Sequence, residues 1–300
     1  MKRLILILVA GCAALAHAQQ TSLKPAEKSQ EEAVGEATPE MIEAEYLRVA
    51  KKCGFTIGYT LHDGRQEGVL DPEEVKEFLP GFFAALDVFP VRFLRETKLH
   101  TVVLCRNLTS NGIRAGGLAG GGKISLSVPF GNKTIYHEMF HIADKKRQDE
   151  DWTRLNNKQF VYGGSVYKPV ELDKKSQAKA DAAKSSEMIR KDFVSDYAMS
   201  NEREDRAETF AFMVANPKRF AEMAKESPVL AKKAEHVKKI VRDFSPAMNK
   251  DFWAFIADSD EASRMEEFTK RAKLNDQRKK REESPHQQRL HEMIPAVGRG

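Results

Sequence analysis

The chain has 300 residues, of which 41% are hydrophobic and 31% are charged, with a formal net charge of +5. This content suits one globular domain of ordinary size plus short extensions. Two of the positive charges lie at Lys2 and Arg3, so a chain without its N-terminus would be only mildly basic, which gives no case for a nucleic-acid partner.

The first eighteen residues have the order of a secretory signal peptide. Lys2 and Arg3 precede an apolar run that ends in small residues at Ala18, and the run is too short for a stable membrane span. We therefore expect export, cleavage after Ala18 and an extracytoplasmic location. The alternative is a lipobox at Cys12, which would make the protein a membrane-anchored lipoprotein, and a membrane partner is expected only in that case.

The rest of the chain divides by composition into three parts. Residues 19–40 are polar and lack aromatic side chains, which indicates a flexible linker. We expect one folded domain over residues 41–257. Charged residues dominate from residue 258, which predicts a charged helical or disordered tail over residues 258–300.

Apolar patterns predict mixed α and β structure first and helices afterwards. Helices are expected from Met41 to Lys52 and from Glu73 to Leu86. Buried and half-exposed strands are expected over residues 101–105 and 123–128, respectively. A helix from Arg203 to Ala215 opens the helical part.

Cys53 and Cys105 are the cysteines that remain if Cys12 is removed or lipidated. An even pair in an exported protein suggests a disulfide. Two buried thiols are the alternative, because the sequence gives no distance between them.

A glycine-rich segment over residues 117–123 satisfies the spacing GxxxxGK. A phosphate-binding loop would continue with Ser or Thr and open a helix, whereas Ile124 follows here and opens a strand. We therefore expect a flexible loop over a cleft. Strand 123–128 is expected to form the cleft edge, with backbone groups that could pair with an extended peptide.

His137 and His141 flank Glu138 in the motif HExxH, within a segment typical of a helix. A spacing of four places both imidazoles on one helical face, where they can share a metal ion. Glu138 lies between them, where it can act as general base on a metal-bound water. The opposite face carries apolar residues that can pack in a core: Ile135, Met139 and Ile142.

A catalytic zinc site requires a third protein ligand besides these two histidines. The metzincin pattern would place Gly and His at positions 144 and 147, which hold Asp144 and Arg147, so that class is excluded. A carboxylate from a later helix remains. Our candidate is Glu204, with Glu208 one turn later as the carboxylate that orients a histidine N–H.

Two alternatives to this assignment stay open. Asn201 and Glu204 also have the spacing of a capping box, in which Glu204 would bind backbone instead of metal. Glu235 and His236 are the next candidates for a third ligand, although they lie in a lysine-rich helix.

Taken together, the two motifs resemble the gluzincin peptidases related to the catalytic domain of anthrax lethal factor, and bacterial zinc-binding metallopeptidases. In that pattern an Asp follows HExxH after two residues, as Asp144 does. A later segment matches as Tyr-x-x-x-Asn-x-x-Glu-x-x-Ala-Glu, in the register Tyr197, Asn201, Glu204, Ala207 and Glu208. The match covers roughly residues 95–215.

The resemblance implies that Glu204 is the third ligand and that the phenol of Tyr197 stabilises the tetrahedral intermediate. It also implies that Asp144, like Glu208, supports the ligands from behind. The fold class expected is α+β, zincin-like, with a small twisted sheet packed on the HExxH helix and a mainly helical C-terminal half.

The function expected is that of an exported, monomeric zinc metalloendopeptidase that holds one Zn²⁺ per chain and cleaves polypeptides. Two alternatives stay open. One is a catalytically silent surface-binding module that keeps the fold, and the other is a zinc amidase that acts on a non-protein amide of the cell wall.

Overall fold

The computed structural model describes residues 72–145, 149–164 and 171–282, the strand Thr56–Gly58, and three isolated residues at positions 48, 51 and 54. The predicted signal peptide with Cys12 and Ala18, the linker, most of the helix expected from Met41 to Lys52, and Cys53 lie outside these residues. So does the end of the predicted tail.

Six strands occur in the described residues: β1 (Thr56–Gly58), β2 (Thr101–Cys105), β3 (Thr109–Ser110), β4 (Ile113–Arg114), β5 (Gly117–Gly120) and β6 (Lys123–Ser127). Four of them form one sheet in the order β1-β2-β6-β5. Strands β1, β2 and β6 run parallel, and β5 runs antiparallel to β6. Strands β3 and β4 form a separate antiparallel hairpin.

The two predicted strands form the middle of the sheet as β2 and β6. They pair in register from Thr101 opposite Lys123 to Cys105 opposite Ser127. Strand β2 is apolar and buried through most of its length, as expected for a strand covered on both faces.

The glycine-rich segment is a strand and a turn, so the expected loop is wrong. Gly117–Gly120 forms β5, and a two-residue turn at Gly121 and Gly122 leads into β6. Both turn glycines have positive φ values, 58° and 74°, which a tight hairpin turn requires and which residues with a Cβ rarely adopt. Because β5 covers the outer side of β6, the expected cleft edge at strand 123–128 is also wrong. Among the described strands, β5 is the edge strand next to β6, and β1 is the opposite edge.

Eleven helices lie in the described part of the chain: α1 (Pro72–Asp87), α2 (Val91–Glu96), α3 (Asn132–Ala143), α4 (Glu150–Thr153), α5 (Lys174–Ser185), α6 (Glu187–Arg190), α7 (Glu202–Ala215), α8 (Pro217–Glu226), α9 (Pro228–Phe244), α10 (Lys250–Asp258) and α11 (Glu261–Glu282). A short 3-10 turn spans Tyr197–Met199. Helices α1 and α7 confirm the two helices predicted around residues 73–86 and 203–215.

Helix α3 carries the HExxH motif and lies at the centre of the fold. It contacts β5 and β6 on the sheet side and α1, α7 and α9 elsewhere. The apolar face predicted from the sequence is in the core, since Ile135 and Met139 are completely buried and Ile142 is 9% exposed. Packing on all sides fixes the orientation of the helix, and with it the two histidines.

Residues 258–300 were expected to be a charged helical or disordered tail, and residues 261–282 form a helix that packs on the fold. Helix α11 packs against α1 and buries Phe268 and Ala272, which are each 1% exposed. Arg271 forms a salt bridge with Asp87 of α1. Phe268 and Ala272 lie one turn apart on a single face, so the overall charge of this segment concealed a narrow apolar side.

The observed element order confirms the α+β class, with a small sheet in the first half and helices afterwards. None of the helices in the described ranges is both long and apolar enough to cross a membrane.

Candidate metal centre

The two histidines of α3 face the same point from adjacent turns. Their ring centroids are 4.6 Å apart and the ring planes are nearly perpendicular, at 88°. The side chains of His137 and His141 are only 9% and 8% exposed. This is the arrangement that a spacing of four in a helix dictates.

Helix α7 supplies the third side chain. Asn201 caps its first turn by accepting hydrogen bonds from the backbone N–H groups of Arg203 and Glu204, both at 3.0 Å. Ala207 and Ala211 on this helix are fully buried, and their small size lets α7 approach α3 closely. The capping alternative is thus right for Asn201, while the carboxylate of Glu204 extends towards the histidines.

The donor atoms of His137, His141 and Glu204 converge. Glu204 Oε2 lies 3.0 Å from Nε2 of His137 and 3.2 Å from Nε2 of His141. The three potential ligand atoms lie within 4.8 Å of one another, and no other such group of three or more occurs in the described ranges. Two imidazoles and a carboxylate are the ligand types of catalytic zinc sites, so this set fits a zinc ion.

Glu208 contacts the side of His137 that faces away from Glu204. Its Oε1 lies 3.0 Å from Nδ1 of His137. Its Oε2 accepts hydrogen bonds from Lys133 at 2.7 Å and from the Ser195 hydroxyl at 2.6 Å. When Nδ1 of the neutral imidazole donates to Glu208, the lone pair is on Nε2, which faces His141 and Glu204.

The charges of this centre shift its pKa values strongly. Burial lowers the pKa of His137, but the hydrogen bonds to Glu204 and Glu208 outweigh burial and raise it to about 9. Burial alone would raise the pKa of the carboxyl groups of Glu204 and Glu208. For Glu204, the hydrogen bonds to His137 and His141 outweigh burial, so its pKa falls far below its usual range. Bonds to His137 and Lys133 lower the pKa of Glu208 to about 2. A cation bound between His137 and Glu204 would therefore have to take the place of a proton.

Glu138 lies at the same cleft but outside the three-donor group. It is 5% exposed, and burial raises its pKa to about 7. A Cβ at Gly117 of β5 would lie 2.7 Å from both Cγ and Oε1 of Glu138. Glycine at this position therefore allows the edge strand to pass directly over the Glu138 carboxyl group.

Tyr197 and His141 complete the wall of the cleft. The ring centroid of Tyr197 lies 6.0 Å from that of His137, and Tyr197 lines the cleft beside Glu138. Burial lowers the pKa of His141, which favours its neutral form. The buried Nδ1 of His141 has no hydrogen-bond partner among the described residues.

Asp144 pairs with Arg206 of α7, whereas Nδ1 of His137 bonds Glu208. Its Oδ2 accepts a hydrogen bond from Nε of Arg206 at 2.8 Å, and both side chains are completely buried. The pair joins the end of α3 to the middle of α7. Asp144 therefore supports the site by fixing the two helices that carry the three potential ligands.

The remaining sequence candidates lie elsewhere. His236 lies 2.8 Å from Asp149, and Glu235 forms a salt bridge with Lys238, so this pair is not part of the three-donor group. Cys105 is buried in β2, and its Sγ lies 3.6 Å from the carbonyl oxygen of Leu126. The disulfide with Cys53 stays a prediction.

Sequence reasoning missed three polar residues of this region. Lys133 lies four residues before His137, a spacing that could have placed it on the same helical face. Arg203 precedes the candidate ligand Glu204 and lines the cleft. Ser195 lies in a segment without a motif, and no signal in the sequence pointed to it.

The cleft in front of these groups has a volume of about 480 Å³. Its floor consists of the polar residues of α3 and α7, and one wall consists of residues 115–119, which include most of β5. This size is in the range of small-ligand sites.

Comparisons with known proteins give a match to one family model and a similarity to one solved structure. No curated protein matches the chain. A crystal structure from Bacteroides caccae, described as "a putative zinc-binding metallo-peptidase", is 18% identical, with a TM-score of 0.48 over 78% of this chain and 97% of that chain. Residues 124–253, which include all three potential ligands, match the family model described as "Putative zinc-binding metallo-peptidase", and this match confirms the resemblance to zinc metallopeptidases predicted from the sequence.

Proposed function

We propose that this protein is a zinc metallopeptidase of gluzincin type with a zincin-like fold, which hydrolyses polypeptides in the cleft between β5 and α3. One observation carries the proposal. The Nε2 atoms of His137 and His141 and a carboxylate oxygen of Glu204 lie within 4.8 Å of one another, in a cleft that also contains Glu138.

We propose that His137, His141 and Glu204 together hold one zinc ion per chain. When bound, zinc supplies Lewis acidity, which activates water and polarises a carbonyl group. Glu208 fixes the tautomer and orientation of His137 through the 3.0 Å contact at Nδ1. The Asp144–Arg206 pair holds α3 and α7 in position.

Glu138 is the general base in this proposal. Its carboxylate accepts a proton from the attacking water and then delivers it to the amine that leaves. The proposal is supported by its burial and by a pKa that burial raises to about 7, because a base works best when its pKa is near the working pH.

Tyr197 is the candidate donor to the oxyanion that forms during hydrolysis. It lies in the 3-10 turn before α7, close to His137 and open to the cleft. One such donor contributes about 3–4 kcal/mol to catalysis in other hydrolases.

Strand β5 is well suited to bind the substrate backbone. Of the strands described, only β6 pairs with it, so its other edge can accept an extended peptide by adding one more strand. Gly117 brings this edge close to Glu138. A polypeptide bound here would place a peptide bond beside the general base.

The decisive experiment compares the wild type with Glu138→Gln. We expect both proteins to bind one equivalent of zinc, because Glu138 is not a ligand. Hydrolysis of a peptide library should fall by roughly 10²–10⁴-fold in the variant, the contribution typical of a general base. Zinc content is measured by atomic absorption and cleavage by mass spectrometry.

Two outcomes would contradict the proposal. Full activity in Glu138→Gln would exclude Glu138 as the base. A wild type that binds one equivalent of zinc but cleaves no library peptide would also contradict the proposal. Hydrolysis of cell-wall amides by that protein would then favour the amidase, and no hydrolysis of either substrate would favour the catalytically silent module.

We also propose that the protein is exported and cleaved after Ala18. The order of charged, apolar and small residues at the N-terminus supports this. Mass spectrometry of the protein secreted from a bacterial host should give Gln19 as the first residue. A lipid-modified Cys12 at the N-terminus would contradict cleavage at Ala18 and establish the lipoprotein alternative.

A further inference from the structure

Arg203 is a cationic side chain of the cleft that the proposed mechanism does not use. It lies in the first turn of α7, directly before Glu204, and its backbone N–H is held by the Asn201 cap at 3.0 Å. The side chain is half-buried and lines the cleft together with Glu138, His141 and Tyr197. Its position is therefore fixed by the same cap that fixes the third potential ligand.

The guanidinium group of Arg203 has no hydrogen bond or ion pair with any residue that the structure describes. The carboxylates around it have other partners. Glu204 bonds both histidines, and Glu208 bonds His137, Lys133 and Ser195. Glu202, on the same helical turn, bonds the backbone of Asp149 and the hydroxyl of Thr153.

The contrast with the other basic residues near the site is sharp. Lys133 also lines the cleft, but its ammonium group lies 2.7 Å from Glu208. Arg206, three residues after Arg203, is completely buried against Asp144. Of these three, only Arg203 has no carboxylate partner among the residues that the structure describes.

The charge of Arg203 affects the pKa values of two groups of the proposed active site, Glu138 and His141. Burial raises the pKa of Glu138, and the charge of Arg203 acts against this increase. Burial lowers the pKa of His141, and Arg203 adds to this decrease. Arg203 therefore lines the same cleft as Glu138 and His141 and acts electrostatically on both.

We propose that Arg203 is a specificity-determining residue that binds a carboxylate group of the substrate, so that the enzyme prefers peptides that present a negative charge next to the cleaved bond. This inference rests on the proposed peptidase function. A guanidinium group offers five donors in a planar fork that matches a carboxylate with two parallel hydrogen bonds. The lining of the cleft also contains the carboxyl groups of Glu138, Glu204 and Glu208, and its other basic side chain, Lys133, is paired with Glu208, so Arg203 is the basic group of this lining that has no carboxylate partner among the described residues.

The carboxylate has two sources, the C-terminus of a short peptide or an acidic side chain. Two matched pairs of peptide hydroxamates, which bind zinc through the hydroxamate group, distinguish them. One pair differs only at the C-terminus, as free acid and amide. The other pair is amidated and differs only in a Glu or Gln side chain. Affinities for the zinc-loaded protein are measured by calorimetry.

We expect the acid of at least one pair to bind the wild type about 10–100-fold more tightly than its neutral partner, as for a charge-assisted hydrogen bond. Arg203→Met should remove this preference, and Arg203→Lys should keep part of it. The pair that shows the preference identifies the source. Because the two ligands of a pair are compared within each variant, general changes of the metal site cancel.

Arg219→Met is the matched control. Arg219 is exposed on α8, is not among the residues that line the cleft, and carries the same charge. This variant should keep the full preference. Equal affinities within both pairs in the wild type, or a preference that survives in Arg203→Met, would overturn the proposal.

The measurement separates this inference from the proposed function. Affinities are decided without turnover, and zinc content of Arg203→Met is expected to equal that of the wild type. A wild type that binds acids preferentially but cleaves no peptide would contradict the peptidase and support Arg203 as a carboxylate-binding residue. A wild type that cleaves peptides without any acidic preference would support the peptidase and contradict the role of Arg203.

Discussion

Helix α7 presents ionisable side chains on two faces, and the partners of these side chains differ between the faces. Towards the cleft it carries Glu204 and Glu208, and away from it Asp205 and Arg206. On both faces the side chains are largely or completely buried. Burial of charge alone therefore does not distinguish a functional cluster from a structural one in this protein.

We call the face of α7 that points away from the cleft the rear face. On it, Asp205 and Arg206 each contact an oppositely charged side chain. Asp205 Oδ2 accepts hydrogen bonds from the Trp152 indole at 3.0 Å, the Tyr162 hydroxyl at 2.8 Å and the Lys233 ammonium at 2.8 Å. Lys233 also lies 3.6 Å from the ring centre of Phe193. Such a set stabilises the packing of α7 against α9.

On the cleft face, three groups that accept a metal ion or a proton point at one another. Nε2 of His137 and of His141 and Oε2 of Glu204 have only each other as partners across the shared space. In the metal-free protein a proton on His137 can bridge to Glu204, because hydrogen bonds to Glu204 and Glu208 outweigh burial and raise the pKa of His137 to about 9. When both imidazoles are neutral, a metal ion would have to take the place of that proton. Convergence of acceptors, and not burial, distinguishes the functional cluster of this protein from the structural one.

The largest effect is expected from Glu204→Ala, which removes one acceptor from the cleft face. Zinc affinity should fall by more than about 100-fold, beyond the 10–100-fold typical of residues that only orient a ligand, and peptide hydrolysis should be lost with it. Equilibrium dialysis against a zinc buffer measures the affinity. In the wild type, added zinc should raise the thermal midpoint of unfolding, and in the variant it should not. Unchanged zinc affinity would exclude Glu204 as a ligand.

On the rear face, Asp205→Ala should act on stability and leave the metal site intact. The variant leaves the Lys233 ammonium buried without its carboxylate, a change that costs about 3–5 kcal/mol in other proteins. Urea unfolding followed by circular dichroism measures the loss. Zinc affinity of the folded variant should stay within a few-fold of that of the wild type.

The double variant Asp205→Leu, Lys233→Met is the control for this reading. Replacing both partners removes the unpaired charge, so stability should recover in part relative to Asp205→Ala. A double variant less stable than the single one would show that the hydrogen bonds to Trp152 and Tyr162 matter more than the ion pair.

The cleft face was more predictable from the sequence than the rear face. HExxH is a local pattern, and helix geometry alone puts His137 and His141 side by side. The register of Asn201, Glu204 and Glu208 is equally local, which is why the second helix could be assigned. The convergence of α3 and α7 was inferred from the need for a third metal ligand and from the resemblance, since spacing within each helix says nothing about the distance between them.

The sequence could not predict contacts that depend on how distant elements pack. The pairing of Asp205 with Lys233 joins residues 28 positions apart, and that of Asp144 with Arg206 joins residues 62 positions apart. The place of Gly117 in a strand was not predicted, for a different reason. Its segment has the composition of a loop, and only the antiparallel pairing with β6 makes it a strand.

A smaller effect concerns pH, because protons compete with zinc on the cleft face only. Hydrogen bonds to Glu204 and Glu208, against the effect of burial, raise the pKa of His137 from 6.5 to about 9 in the metal-free protein. Zinc must displace this proton below pH 9, so zinc affinity should rise about tenfold per pH unit, or roughly 100-fold from pH 6 to pH 8. Competition with a chelator of known proton affinity measures the slope.

The same pKa shift predicts the opposite trend for stability of the metal-free protein. A group whose pKa is raised on folding stabilises the folded state fully below its unfolded value of 6.5, and this contribution is lost as the pH rises through about 9. Saturation with zinc should abolish this loss. Stability of the metal-free protein that is constant from pH 6 to pH 9 would contradict the proton bridge between His137 and Glu204.

The smallest effect is expected at Glu208, which lies on the cleft face but resembles the rear face in having three partners. Glu208→Ala leaves Nδ1 of His137 without its acceptor, and zinc affinity should fall by about 10–100-fold. Glu208→Gln keeps an acceptor oxygen and should lose less. If both variants bind zinc as the wild type does, then the contact at Nδ1 does not orient His137. If Glu208→Ala loses as much zinc affinity as Glu204→Ala, then Glu208 acts as a ligand. Its three hydrogen-bond partners would then not mark it as a supporting residue.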